Sequence, residues 1–267
     1  MSHIILRQAE RTPSHPALLA DSLRHPGKPG CFAPNFKLET SYPESLSESS
    51  PACAPTTQAE YIRWWCAVNE RRQDQEVTFD GITVNVRKNV FCPDPNMTHL
   101  PILMTHLTPN LVGKKVLDIG TGCGVLAIQA ASKGASKVVA TDIDHAALAN
   151  ARENVESHGL SNVIDVVESD LFENVSGQYD LIFANLPILD SFWSDRTGPV
   201  ATMYQRFIEN VGRHLTENGV ALLGFASFGD MNAAEELILC SPLLKQELSE
   251  RKFGVDWFVF ELGHHQK

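Results

Sequence analysis

The feature that most constrains this chain is an alternation, from residue 115 to residue 184, of continuous apolar runs with stretches of helical period. Strands are expected at residues 115–119, 137–141, 163–168 and 179–184, with helices over 125–133 and 146–158 between them. Runs such as Leu181-Ile182-Phe183 show none of the in-and-out alternation of a half-exposed strand, so both of their faces must be covered. Strands and helices taking turns in this way describe a parallel sheet wrapped by helices. The last third continues with a helix over 200–215, a strand at 220–226 and a helix around 233–239. Two closing strands, 244–248 and 255–262, complete the expectation: an α/β fold, a Rossmann-like doubly wound seven-stranded sheet with a C-terminal antiparallel hairpin.

What precedes residue 115 reads differently. Residues 21–58 are dense in Pro, Ser and small polar residues and cannot build a core of their own. Ahead of them, Ile4, Ile5, Leu6, Leu18 and Leu19 suffice for a short docking helix within residues 3–23. From Thr57 to about Gln73, the side chains Tyr61, Trp64, Trp65 and Val68 fall at helical spacing, with Thr56 or Thr57 as N-cap. Residues 77–79 and 82–86 alternate around Asp80-Gly81, a two-residue hairpin signal. The expected division is an N-terminal extension with a helix and a β-hairpin, residues 1–89, ahead of a catalytic domain, residues 90–267.

Composition narrows the functional classes. The 22 Lys and Arg against 32 Asp and Glu leave a formal charge of -10, which on balance repels polyanions and disfavours a nucleic-acid partner. Arg63, Arg71 and Arg72 form a local basic cluster, and a solvated helix face is the plainer account of it. The six cysteines form no Cys-x-x-Cys pair and have no His partners at zinc-finger spacing, so no metal is expected. No N-terminal signal pattern is present, and no apolar stretch approaches the ~18 residues of a membrane span. A reduced, cytoplasmic protein away from membranes is the expectation.

The strand ends carry the chemistry. Asp118 stands two residues ahead of Gly120-Thr121-Gly122-Cys123-Gly124, at the C-terminal end of the first parallel strand, where ligands of open α/β sheets bind. Glycine there allows positive φ and lets a ligand approach the backbone closely. A dinucleotide loop instead reads Gly-x-Gly-x-x-Gly and cradles a pyrophosphate. Here the third glycine comes one position early and an acid precedes the loop, which favours a ligand bearing an ammonium group. Asp142 ends the second strand, at the spacing where a carboxylate accepts both hydroxyls of a ribose, and Ile143 beside it is placed to pack on adenine. Asp170 follows the third strand, where it can accept from the adenine amino group while Leu171 covers the ring.

With those residues placed, residues 90–228 resemble the class I S-adenosylmethionine (SAM)-dependent methyltransferases. Residues 116–124 are similar to their first motif, which implies that Asp118, Ile119, Gly120, Thr121, Gly122, Cys123 and Gly124 bind SAM. Asp142 matches their ribose acid, and Glu168-Ser169-Asp170-Leu171 their adenine motif. Residues 139–155 are similar to the corresponding segment of ribosomal protein methyltransferases. Asn185-Leu186-Pro187-Ile188 is similar to the Asn-Pro-Pro-Tyr tetrapeptide of the small-domain and release-factor glutamine methyltransferase subgroup, which methylates amide or exocyclic nitrogens. There the Asn oxygen and the next carbonyl accept hydrogen bonds from the nitrogen and aim its lone pair, a positioning effect.

The resemblance thus implies that Asn185 is catalytic and touches both cofactor and acceptor, with Leu186, Pro187 and Ile188 binding the acceptor. Ile188 supplies no stacking ring, and Phe192 and Trp193 stand just downstream as replacements. Residues 91–98 are similar to the Pro-Arg-Pro-Glu-Thr segment of the glutamine-methylating group, without its Arg and Glu. Trp64 and Trp65 are expected on a lid over the cofactor, where an indole face attracts a sulfonium.

The leading functional expectation is methyl transfer to a nitrogen of a small molecule or protein side chain. One alternative uses SAM's own amino group as nucleophile, forming azetidine-2-carboxylate and methylthioadenosine. Others are an rRNA or tRNA base N-methyltransferase and a non-catalytic interaction protein, with an NAD-linked oxidoreductase last because of the glycine spacing.

Overall fold

In the computed structural model the alternation closes into one mixed sheet. The structure describes residues 55–108, 110–189, 199–229 and 236–265, and the backbone of residues 5–8. The elements are β1 (Ile5–Gln8), α1 (Gln58–Arg71), β2 (Gln75–Phe79), β3 (Ile82–Val86), α2 (Leu100–His106), β4 (Lys115–Ile119), α3 (Val125–Ser132), β5 (Lys137–Asp142) and α4 (His145–Ser157). There follow β6 (Ile164–Glu168), β7 (Tyr179–Ala184), α5 (Val200–Val211), β8 (Leu215–Ala226), β9 (Leu244–Lys252) and β10 (Val255–Gly263). The sheet runs β1-β9-β10-β8-β7-β4-β5-β6. Neighbours from β6 to β8 are parallel, whereas β10 pairs antiparallel with both β8 and β9. The result is the expected seven-stranded Rossmann-like sheet with its closing hairpin, plus β1 as an eighth strand on the β9 edge.

Burial explains why these segments are strands. Val116, Leu117, Ile182 and Phe183 are buried on alternate faces, feeding two separate apolar clusters. One cluster takes Val116, Leu181 and Phe183 together with α3, α2, the β2–β3 hairpin and Tyr61 of α1. The other takes Leu117, Ile182 and Phe225 together with Tyr204 and Phe207 of α5. Tyr204 is wholly buried, and its hydroxyl finds an acceptor in the Gly224 carbonyl at 3.0 Å, as a buried phenol requires.

Helix α1 and the β2–β3 hairpin pack on the sheet. α1 begins with a capping box, in which Thr57 Oγ1 accepts from the Glu60 amide at 3.3 Å and the Glu60 carboxylate accepts from the Thr57 amide. Tyr61 donates to the Met97 carbonyl at 2.6 Å, and Ser227 Oγ donates to Gln58 at 3.3 Å. At the β9–β10 turn, Gly254 has φ +72, and a Cβ there would lie 2.4 Å from the Thr56 carbonyl carbon. The β2–β3 hairpin turns at Asp80-Gly81 with φ 45 and 81, the paired positive values of a type I′ turn. Its β3 backbone is held by Asn150 and Asn154, two buried amides one helical turn apart on α4.

Three expectations need correction, and one helix was not anticipated. Residues 5–8 form a strand, not part of a helix: β9 offers an open edge, and pairing along it suits a run with adjacent Ile and Leu. The remainder of residues 3–23 lies outside the described residues, as does most of 21–58. Helix α2 had no periodicity to announce it, because five of its seven residues are buried, yet Pro101 in its first turn is a start signal. The helix from residue 200 passes at 212–214 into a 3-10 turn, and β8 starts at Leu215, where Leu215 is fully buried. Arg72 belongs to no basic surface: it is buried and donates to the carbonyls of Val86, Arg87, Lys88 and Val90. Of the helix expected around 233–239, residues 236–239 are helical and the rest is not described.

Candidate functional site

A pocket opens along the C-terminal edge of the parallel strands, and strand order lays its parts out in a row. At one end, β5 and β6 deliver Asp142, Ile143, Asp170 and Leu171; in the middle, β4 delivers Ile119, Gly120 and Gly122. Next comes β7 with Asn185, Leu186, Pro187 and Ile188. At the far end stand Phe228, just past β8, and Trp257, which pairs with Ala226 across β8 and β10. Tyr61, Ile62 and Trp65 of α1 and the β3–α2 connection, including Phe91 and Thr98, complete the wall.

The glycine loop is fixed by its neighbours. Gly120, Gly122 and Gly124 have φ +72, +58 and +86, the left-handed region in which a side chain is strained. A Cβ on Gly120 would come within 3.3 Å of Leu186 Cδ2. The Gly120 and Thr121 amides donate to the Thr141 carbonyl at 2.8 Å, and the Gly122 amide donates to Asp142 Oδ2 at 3.0 Å. Asp142 Oδ1 accepts from the Asp144 amide at 2.9 Å. Each oxygen of Asp142 thus holds one backbone N–H and keeps lone-pair capacity toward the pocket. Burial raises its pKa, against the pull of those amides.

Asp118 lies elsewhere. It is 1% exposed, sits beneath the loop and does not line the pocket. Its Oδ2 accepts from Thr121 Oγ1 at 2.6 Å, and its Oδ1 is buried without a hydrogen-bond partner. Burial pushes this carboxyl up to about 7, with the Thr121 hydroxyl and the Ala127 amide at the start of α3 opposing. Thr121, Cys123 and Gly124 likewise shape the loop without lining the pocket. Burial pushes the Cys123 thiol up to about 12, leaving it an inert packing group.

Ile143 is 38% exposed, one of three exposed large apolar side chains among the described residues, and it faces the pocket. Asp170 lines the pocket with one oxygen already bound to Arg206 at 2.9 Å. Leu171 adopts φ 50, an unusual value for a branched side chain and of the kind that clusters at ligand sites. Ser169 stabilises that turn by donating to the Leu171 carbonyl and accepting from the Asn174 amide. The Asn185 side chain makes no hydrogen bond to the described residues. Leu186 is buried against the glycine loop, whereas Pro187 and Ile188 are part-buried in the pocket wall.

The tryptophan pair divides. Trp65 lines the pocket, whereas Trp64 packs against Tyr61 and Phe253, with ring centroids 6.0 and 6.4 Å away. Phe192 and Trp193 lie outside the described residues. Sequence reasoning missed Tyr61, Phe228 and Trp257 as wall residues; the helical step from Tyr61 to Trp65 was a usable signal, but nothing local ties Trp257 to residue 61. Among the described residues no cluster of His, Cys, Asp and Glu is suited to a metal, and no helix is long and apolar enough to cross a membrane.

Comparison with known proteins agrees with this geometry. The profile of the methyltransferase small-domain family matches residues 81–247. An Exiguobacterium sp. ribosomal protein L11 methyltransferase is 40% identical over 116 residues, 40% of this chain and 37% of that protein. A Methanocaldococcus jannaschii protein assigned as a protein N5-glutamine methyltransferase is 33% identical over 189 residues, 66% of this chain and 91% of that protein. The chain therefore spans little more than a third of the Exiguobacterium L11 methyltransferase and most of the archaeal protein. In fold it is similar to a ribosomal protein L11 methylase from Lactobacillus delbrueckii subsp. bulgaricus, with TM-score 0.53 and 24% identity over 67% of this chain and 84% of that one. The sheet order, the glycine loop and these matches together show that the chain belongs to the methyltransferase small-domain family, with a class I SAM-dependent methyltransferase fold.

Proposed function

We propose that the chain transfers a methyl group from SAM to a nitrogen of its acceptor. The observation that carries the reading is Asn185: among the described residues its amide has no hydrogen-bond partner, and it stands in the pocket between the glycine loop and the aromatic end. The family match implies SAM, and the residues present fit it. Asp142 has capacity for two ribose hydroxyls, while Ile143 and Leu171 offer apolar faces for adenine and the Asp170 oxygen that is not bound to Arg206 an acceptor for its amino group. Ile119, Gly120 and Gly122 leave the middle of the pocket to the ligand backbone-close, without side chains at the two glycines. Asp118 acts from below, by fixing Thr121 and, when ionised, by a negative field that favours an ammonium group.

Bound there, SAM supplies an electrophilic methyl group on a sulfonium. Asn185 Oδ1 and the Leu186 carbonyl accept hydrogen bonds from the acceptor N–H and hold its lone pair on one line of attack. Helix α1 serves this site as a wall, extending the catalytic domain of residues 90–267, and Trp65, not Trp64, faces the pocket. The relative assigned to N5-glutamine methylation supports a nitrogen acceptor. No relative compared above is assigned to cyclisation, which favours transfer to a separate acceptor. Mass spectrometry of the nucleoside formed from SAM in the presence of acceptors tests this reading. S-adenosylhomocysteine (SAH) with a methylated nitrogen is expected; methylthioadenosine formed without acceptor refutes it.

A further inference from the structure

The aromatic end of the pocket narrows the acceptor, on the premise of the methyl-transfer reading above. Its wall is built from Tyr61, Trp65, Phe91, Ile188, Phe228 and Trp257. Three of these brace one another: centroids are 5.4 Å apart for Tyr61 and Phe228, 5.6 Å for Tyr61 and Trp257, and 5.7 Å for Phe228 and Trp257. Both contacts with Trp257 are edge-on, at 87° and 83°, a preferred aromatic geometry that fixes the ring faces. Where the glutamine-methylating group carries a ring after its prolines, this chain has Ile188, and among the described residues the rings come from α1, β10, the β3–α2 connection and the segment after β8.

Charge is distributed just as unevenly. The carboxylates that line the pocket, Asp142, Asp144 and Asp170, all belong to the β5–β6 end, and no Lys, Arg or His lines it among the described residues. A phosphate or carboxylate on the acceptor therefore meets no counter-charge from the described residues. An alkylamine arrives protonated at neutral pH, its lone pair masked. Among the described residues the sole titratable group at the aromatic end is Tyr61, and its hydroxyl already donates to the Met97 carbonyl. A nitrogen that attacks here must carry a free lone pair before it enters.

We propose that the acceptor is a small, flat, uncharged arylamine, whose weakly basic nitrogen keeps the N–H groups that Asn185 Oδ1 and the Leu186 carbonyl accept, held on the aromatic wall that α1 completes. Its lone pair forms the N–CH3 bond as the C–S bond breaks, and the C–S electrons stay on sulfur. Positive charge passes from sulfur to nitrogen, where the facing rings stabilise it, and an N–H product sheds its proton to water after release.

Calorimetry on the full chain saturated with SAH tests this, with quinoline as the flat probe and N-acetylglutamine methylamide as the polar one. Quinoline is expected to bind at least 10-fold more tightly than the glutamine derivative. Trp65→Ala and Phe228→Leu should each weaken quinoline roughly 3- to 10-fold, with SAH affinity within about 2-fold of the parent as evidence of intact folding. Equal binding of the two probes, or quinoline affinity indifferent to both substitutions, overturns the inference while SAH binding stands. Failure of SAH to bind overturns the methyl-transfer reading, and this inference with it.

Discussion

Asp142→Asn isolates the proposed ribose contact. In the parent, Asp142 accepts one backbone N–H on each oxygen, from Gly122 at 3.0 Å and Asp144 at 2.9 Å. The remaining lone pairs face the pocket, and two ribose hydroxyls bound there make charge-assisted bonds worth about 1.5–3 kcal/mol each. The amide variant keeps one acceptor oxygen and turns an NH2 toward whatever faces the other, so one of those bonds is lost. The expected loss in SAH affinity is therefore about 10- to 150-fold, at roughly 1.4 kcal/mol per decade. The same NH2 also meets one of the two backbone donors, so part of the loss reflects a displaced loop. Melting of the unliganded variant measures that part separately. Calorimetry with SAH and with free adenosine completes the comparison, because the ribose is common to both. If SAH affinity changes less than 2-fold, Asp142 does not hold the sugar and the orientation proposed here is wrong.

Asn185→Ala should lower kcat by about 10²- to 10³-fold, the scale for losing one positioned polar contact in a transition state, with SAH affinity within about 3-fold; an equal fall in both places Asn185 in cofactor binding alone. Gly254→Ala forces φ +72 on a residue with a Cβ 2.4 Å from Thr56. At about 1–2 kcal/mol for the left-handed conformation, and about 2–4 °C per kcal/mol at this size, melting should fall by about 2–8 °C; an unchanged melting temperature refutes the close packing of α1 on that turn. Asp118 is raised by burial from 3.8 to about 7, so the native state keeps a proton that the unfolded chain releases between those values. Stability attributable to this group falls as pH rises through that window, by at most about 4 kcal/mol from some three pH units. Asp118→Asn, which cannot ionise, should gain stability over the parent in urea melts between pH 4 and pH 8; a gap constant across that range contradicts the raised value.

The sheet was legible because its strands are buried on both faces and its helices are not, so period and apolar content separate them. β4 and β7 fall at the residues expected, and the type I′ turn follows from Asp80-Gly81 alone. β1 was not legible, because pairing on the edge of β9 depends on a partner some 240 residues away. α2 escaped because a helix buried on nearly every side carries no polar face to mark its period. At the site, the acids and glycines at strand ends could be placed from spacing, but their depth could not. Asp118 and Asp142 look alike in sequence; only the fold puts the first beneath the loop and the second beside the pocket. The aromatic end was least legible, since it is assembled from α1, β10 and two connections that meet only in three dimensions.

A crystal structure of the chain with SAH examines the arrangement as a whole. The ribose hydroxyls should lie about 3 Å from the Asp142 carboxylate, with adenine between Ile143 and Leu171 and the sulfur beside Asn185. A nucleoside bound in the opposite sense, with its base among Tyr61, Phe228 and Trp257, would contradict both the cofactor assignment and the acceptor wall built upon it.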